Sequence, residues 1–124
     1  MAELFYCKIS KIDYSLGMAD LVIEDREGQI IPGVPFLARE YDMPGVGDLV
    51  AAIMNDDAGK IGRGVVLGKI FSKNNAPIMK GEGIFYKGFA DGTHIAYDPS
   101  SRTLDINVDK ISARHITAKE ITTE

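Results

Sequence analysis

Residues 110–124 read KISAR, HITAK, EITTE: three pentads that set Ile111, Ile116 and Ile121 five positions apart, each followed two residues later by Ala113, Ala118 or Thr123. That spacing excludes the two ordinary solutions. In an α-helix each step of five turns the side chain by about 140°, so the isoleucines would scatter around the axis instead of forming a stripe. In a flat strand odd steps alternate faces. Short extended pieces joined by bends satisfy the pattern. Within each piece the isoleucine and the small residue share a face, and Ser112, Thr117 and Thr122 point the other way.

Such a segment cannot hold itself in place. Ordering the backbone costs roughly 1–2 kcal/mol per residue, and only the isoleucines recover much on burial, about 1.5–3 kcal/mol each. Either the segment is disordered, or several chains wrap together so that neighbours complete its hydrogen bonds and cover its isoleucines. Its β-branched content favours the second, because disordered tails are poor in such residues. An intertwined oligomer is therefore expected.

The rest of the chain has room for one modest core. At 124 residues it buries about two-thirds of its unfolded surface, which predicts one globular domain with an appendage. No run of apolar residues is long enough for a membrane span. The start, MAELFYCKISK, lacks the charged and apolar regions of a signal peptide, so synthesis in the cytoplasm is expected. Cys7 is the single cysteine, which excludes a disulfide framework within one chain; it reads as a small hydrophobe in the first strand. A net charge of −4, with acidic residues in excess through the first half, argues against a nucleic-acid partner, which requires clustered Lys and Arg.

Aromatic and β-branched runs broken by turn residues fill that first half. Residues 4–12 make a strand ended by Tyr14, Ser15 and Gly17, and residues 18–25 make a second, ended by the turn from Arg26 to Gly28. Residues 29–38 read as extended, but Pro32 and Pro35 confine them to a sheet edge or a bulge. DLVAAIM and VVLGKIF follow, with the glycines of GKIGRG between them shaping a hairpin. Five strands without a helix predict a small closed barrel of the OB type, in which the loop from Arg39 to Gly47 replaces the usual helix. Phe36 and Phe71 are expected in its core.

Asn75, Pro77, Gly81 and Gly83 mark a linker, so the expected organisation is an OB-fold domain at 1–72, a linker at 73–83 and a spike domain at 84–124. In the last part IFYKGF, THIAY and TLDINV read as strands, with a turn at Asp98 to Ser101. Residues 103–109 alternate: Leu104, Ile106 and Val108 define a dry face, and Thr103, Asp105, Asn107 and Asp109 a wet one.

Taken in order, GVPFLAREYDMPGVGDLVAAIM, GRGVVLGKIF and FADGTHIAYDPSSRTLDINV with the pentads resemble the phage baseplate assembly protein V family. These are the central spikes of contractile tails, tailocins and related injection particles. The resemblance spans nearly the whole chain. Its most specific part combines the Met43-Pro44 to Asp48 loop, the GVVLG strand and the DGT strand leading into the Ile/Ala repeat. It implies an all-β homotrimer with an N-terminal OB-fold barrel followed by a short triple-stranded β-helix. Leu104, Ile106, Val108, Ile111, Ala113, Ile116, Ala118 and Ile121 would then form the core on the trimer axis. It also implies a place in the baseplate of a virion or injection particle, under the hub and tail tube, from which sheath contraction drives the spike through the target cell envelope.

The resemblance has limits. Longer members end in a His-x-His apex that binds iron, whereas here the repeat stops at Glu124 without that motif. A separate tip protein of the PAAR type is the expected substitute. His115 would give three imidazoles near an axis, but it holds the pentad position of Lys110 and Glu120, which face water, and no metal or other cofactor is expected. His94 reads as a surface or packing residue. Catalysis is not expected either: no phosphate loop or nucleophile elbow is present, and the adjacent Asp56 and Asp57 either face opposite ways in a strand, where they cannot act as a carboxylate pair, or are solvated charges at a turn tip. The alternative to a structural spike is an OB-fold binding module for single-stranded nucleic acid or oligosaccharide, which requires an exposed aromatic platform.

Overall fold

The computed structural model of the chain describes every residue except Asp25, Glu27, Arg39, Asn74 and Glu124. The chain divides into two units, Met1–Ala76 and Pro77–Glu124. Both are all-β, with no helix among the described residues.

In the first unit a two-residue period builds the sheet. Strand β1 (Ala2–Asp13) buries Phe5, Cys7 and Ile9; β2 (Met18–Ile23) buries Ala19, Leu21 and Ile23; β4 (Leu49–Asp57) buries Val50, Ala52 and Met54. Successive side chains point to opposite faces, so each strand offers one apolar row to the same interior. With β3 (Ile30–Pro35) and β5 (Lys60–Lys69) these strands form one antiparallel sheet in the order β3-β2-β1-β4-β5. Cys7, Leu21, Ile23, Val50, Ala52 and Val66 are 0% exposed. The expected reading of Cys7 holds: its thiol lies in the core.

Local chemistry sets the turns. Asp13 Oδ1 accepts hydrogen bonds from the Ser15 hydroxyl at 2.7 Å and from the Ser15 and Leu16 N–H groups at 3.1 Å, folding the chain from β1 into β2. Between β4 and β5, Ala58 and Gly59 both take positive φ, 55° and 89°, the backbone of a two-residue hairpin turn whose twist matches the flanking strands. Five residues on, Gly64 packs so closely that any Cβ would collide with the Ile53 carbonyl oxygen and the Met54 side chain.

The prolines place β3. It lies at the sheet edge, and its register with β2 shifts between Ala19 and Leu21. There the Gly33 N–H donates to Asp20 Oδ1 at 3.0 Å. The bulge lets Ile31 and Val34 both face the core although they are three positions apart. Past β3, Phe36 and Val66 form a parallel bridge, and the Leu37 N–H donates to the Val66 carbonyl oxygen at 2.9 Å. The edges β3 and β5 thus meet at a bridge and not along a ladder, since Pro32 and Pro35 have no N–H to donate. The expected closed barrel is realised as a curled half-barrel.

Between β3 and β4 the chain makes a loop without a helix; Arg39, where that loop was expected to begin, lies outside the described residues. The end of the loop is fixed. Asp48 Oδ2 accepts the Gly45 N–H at 2.7 Å, the Gly47 N–H donates to the Ile9 carbonyl at 2.7 Å, and the Ile9 N–H donates to the Asp48 carbonyl at 3.0 Å.

The second unit holds an antiparallel sheet of β6 (Phe85–Gly88), β7 (His94–Asp98) and β8 (Thr103–Asn107), in that order. Asp98 Oδ1 shapes the β7–β8 turn by accepting the Ser100 hydroxyl at 2.7 Å and its N–H at 2.9 Å. Ala96 is the buried hydrophobic of this unit. The face expected to be dry on β8 is open, with Leu104 58% and Ile106 42% exposed.

Candidate functional site

Beyond β8 no described residue belongs to a strand, and the backbone bends at Asp109, Arg114 and Lys119. The bends recur every five residues, in phase with the isoleucines. Each falls where the sequence changes pentad, so Ile111, Ile116 and Ile121 each lie two residues past a bend, and polar residues stand at the corners: Asp109 with Lys110, Arg114 with His115, and Lys119 with Glu120. Glu124 lies outside the described residues.

All but one of the axis residues expected from the resemblance are exposed within the chain. Ile111, Ile116 and Ile121 are 62%, 69% and 78% exposed. Ala113 and Ala118 are exposed, and Val108 is half-buried. Leu104 and Ile106 are also exposed, on β8, which among the described residues pairs with β7 alone. A strand with one partner presents a row of unpaired backbone groups on its other side. Exposed apolar side chains thus lie on a strand that has a free edge among the described residues.

The two histidines have local partners. His115 Nε2 lies 2.8 Å from the Thr117 hydroxyl across the Arg114–His115 corner. His94 is stacked on Tyr86, ring centroids 5.6 Å apart, with Nε2 3.6 Å from Asp105 Oδ2. Among the described residues no group of His, Cys, Asp and Glu side chains is placed to hold a metal ion.

Two readings of the first unit require correction. Asp56 is not a solvated charge: its Oδ2 pairs with Arg26 at 3.0 Å, its Oδ1 accepts the Gly59 N–H at 2.9 Å, and its side chain is 11% exposed. The Gly59 N–H, then the Arg26 guanidinium, hold its carboxyl below the usual range. Arg26 also lies over the Phe5 ring, 5.6 Å from its centroid, so the cluster ties the β2–β3 turn to the β4–β5 hairpin. No sequence spacing announces it, because residues 30 positions apart meet only once both turns have formed. Asp57, on the opposite face, is the solvated one of the pair.

Phe71 is the second correction. Expected in the core, it is 72% exposed, since it follows the end of β5 and leaves the sheet that would have covered it. It lines an open surface groove with Tyr6, Lys8, Glu24, Leu49 and Ile70. Phe36 does pack against the core, partly buried.

No protein-family model matches the chain, and no curated protein matches it.

Proposed function

We propose that this protein is a structural central spike of a contractile tail or injection particle, acting as a homotrimer that is driven through a target cell envelope when the sheath contracts. The observation that carries the reading is the tail: apolar side chains in phase with bends every five residues, uncovered within one chain, beside a strand with a free edge. Three chains wound as a triple-stranded β-helix would turn Leu104, Ile106, Val108 and the pentad isoleucines inward, with Ala113 and Ala118 easing the crowding at the axis. The polar corners would stay in water.

In this reading the half-barrel is an OB fold. Its strand order, with the two edge strands bridged in parallel at Phe36 and Val66, supports that assignment. The half-barrel would attach to the hub and tail tube, and a PAAR-type tip would sit at the far end. The protein performs no chemistry and binds no cofactor. Its task is stiffness: a closed column of interchain hydrogen bonds has no edge to unzip and spreads axial force over many bonds. The work of penetration comes from the sheath.

The native mass tests this. Light scattering of the purified chain at micromolar concentration is expected to give three times 13.5 kDa, and a stable, ordered monomer would end the reading. A second reading has one observation in its favour, the exposed pair Phe71 and Tyr6, which resembles the stacking platform of an OB-fold binding module for single-stranded nucleic acid or oligosaccharide. Lys8, the cation lining that groove, is paired with Glu24 at 3.6 Å, leaving little to hold a phosphate backbone. A strong, salt-sensitive electrophoretic shift with single-stranded DNA would restore this alternative.

A further inference from the structure

On one face of the second unit's sheet, each strand contributes one member to a small polar cluster. Side chains at every second position share a face, and Ala96 pairs with Tyr86 on one side and Asp105 on the other. Tyr86 of β6, His94 of β7 and Asp105 of β8 therefore stand together. The Tyr86 ring lies over Gly88, so near that an added Cβ would meet it at 2.7 Å, and it is stacked on the His94 imidazole. Among the described residues Ala96 is the one buried hydrophobic of this unit. With so small an apolar core, cross-strand contacts around Ala96 matter to how the three strands stay together.

The two ring nitrogens of His94 meet different groups. Nδ1 lies 3.2 Å from the Gly92 carbonyl oxygen, and Nε2 lies 3.6 Å from Asp105 Oδ2. A carbonyl oxygen can only accept, so the single hydrogen of the neutral ring sits on Nδ1. The Nε2 lone pair then faces a carboxylate that also only accepts, and no side-chain bond ties β7 to β8 there. A second proton reverses this: Nε2–H donates to Asp105, and both ring nitrogens are engaged. We infer that His94 is a pH-responsive clasp, fastening β7 to β8 when its imidazole takes up a proton and loosening them when it gives the proton up. Histidine is the side chain whose charge changes between about pH 5 and 8, so the tie is present in the acid part of that window and absent in the alkaline part. The other ionisable groups of this face and of the loop before β7 are Tyr86, Asp91 and Asp98. The Thr93 N–H holds the Asp91 carboxyl, and the Ser100 hydroxyl the Asp98 carboxyl, below the ordinary value of 3.8, so what they contribute to stability is lost only in more acid solution. Lys87 of β6 pairs with Ile95, on the opposite face.

Nuclear magnetic resonance of the full-length, isotope-labelled protein tests the clasp, whatever its oligomeric state. Near the alkaline end of the window, at about pH 7.5, the His94 ring is expected to carry its hydrogen on Nδ1. Between there and about pH 5, the amides of the β7–β8 ladder should gain about two- to fivefold in hydrogen-exchange protection, corrected for intrinsic exchange, which is the size of one exposed ion pair. Asp105→Asn changes a side chain that is 67% exposed and supplies an amide that can donate to the neutral Nε2. It should cancel or reverse the pH dependence, while His115, unchanged in both proteins, titrates as before. A neutral His94 with its hydrogen on Nε2, no gain in the wild-type chain, or an equal gain in the Asp105→Asn protein would each overturn the inference.

Discussion

Strand β4 and strand β8 each carry an apolar side chain at every second position, and the two rows end in opposite conditions. Val50, Ala52 and Met54 on β4 are at most 1% exposed, whereas Leu104 and Ile106 on β8 are 58% and 42% exposed. Neither propensity nor pattern separates them. What separates them is the number of layers each unit supplies: the half-barrel curls its sheet over its own apolar rows, and among the described residues of the second unit there is a single three-stranded sheet. Alternation therefore says that a face will be covered, and chain topology decides by whom.

Substitutions break this contrast in graded ways. Ile116→Asp should have the largest effect. It places three carboxylates on the proposed axis, each costing several kcal/mol without a partner, and should convert the trimer to monomers whose half-barrels retain their β-sheet circular dichroism. Sedimentation at an unchanged trimer mass would contradict the axial placement. Leu21→Ala inverts the experiment. It removes buried volume from a fully covered site and should lower the first unit's unfolding free energy by about 2–5 kcal/mol in a urea melt, while the oligomeric mass stays as before. Loss of the trimer instead would mean that the two units share one cooperative core.

The smallest expected effect lies in acid. The Asp56 carboxyl titrates below its ordinary value of 3.8 in the folded chain because of the Gly59 N–H and Arg26. A lowered folded value adds stability that is present above 3.8 and disappears as the pH falls through the depressed value. Asp56→Asn should accordingly flatten the acid limb of the stability profile of the half-barrel below about pH 4, with no counterpart in the mass of the assembly. An unaltered acid limb would show that the cluster is dispensable.

Much of the first unit was legible because its signals are local. Asp13 and Ser15 make their turn with side chains two positions apart, and Pro32 forces β3 to an edge whatever surrounds it. The bends at Asp109, Arg114 and Lys119 were legible for the same reason, as a repeat states its own period. Non-local features were not. The Arg26–Asp56 pair depends on two hairpin turns converging. Phe71 misled because aromatic character does not say which side of a strand end a ring will take.

The corners at Asp109, Arg114 and Lys119 also limit how such a chain can change its length. Inserting five residues between two of them leaves every later isoleucine at the same station, and the segment grows by one pentad. Inserting one residue shifts all that follows, so that polar corner residues arrive where isoleucines belonged. Length is thus quantised: the repeat keeps its phase only when it changes by whole pentads, much as a carpenter's rule opens only at its joints.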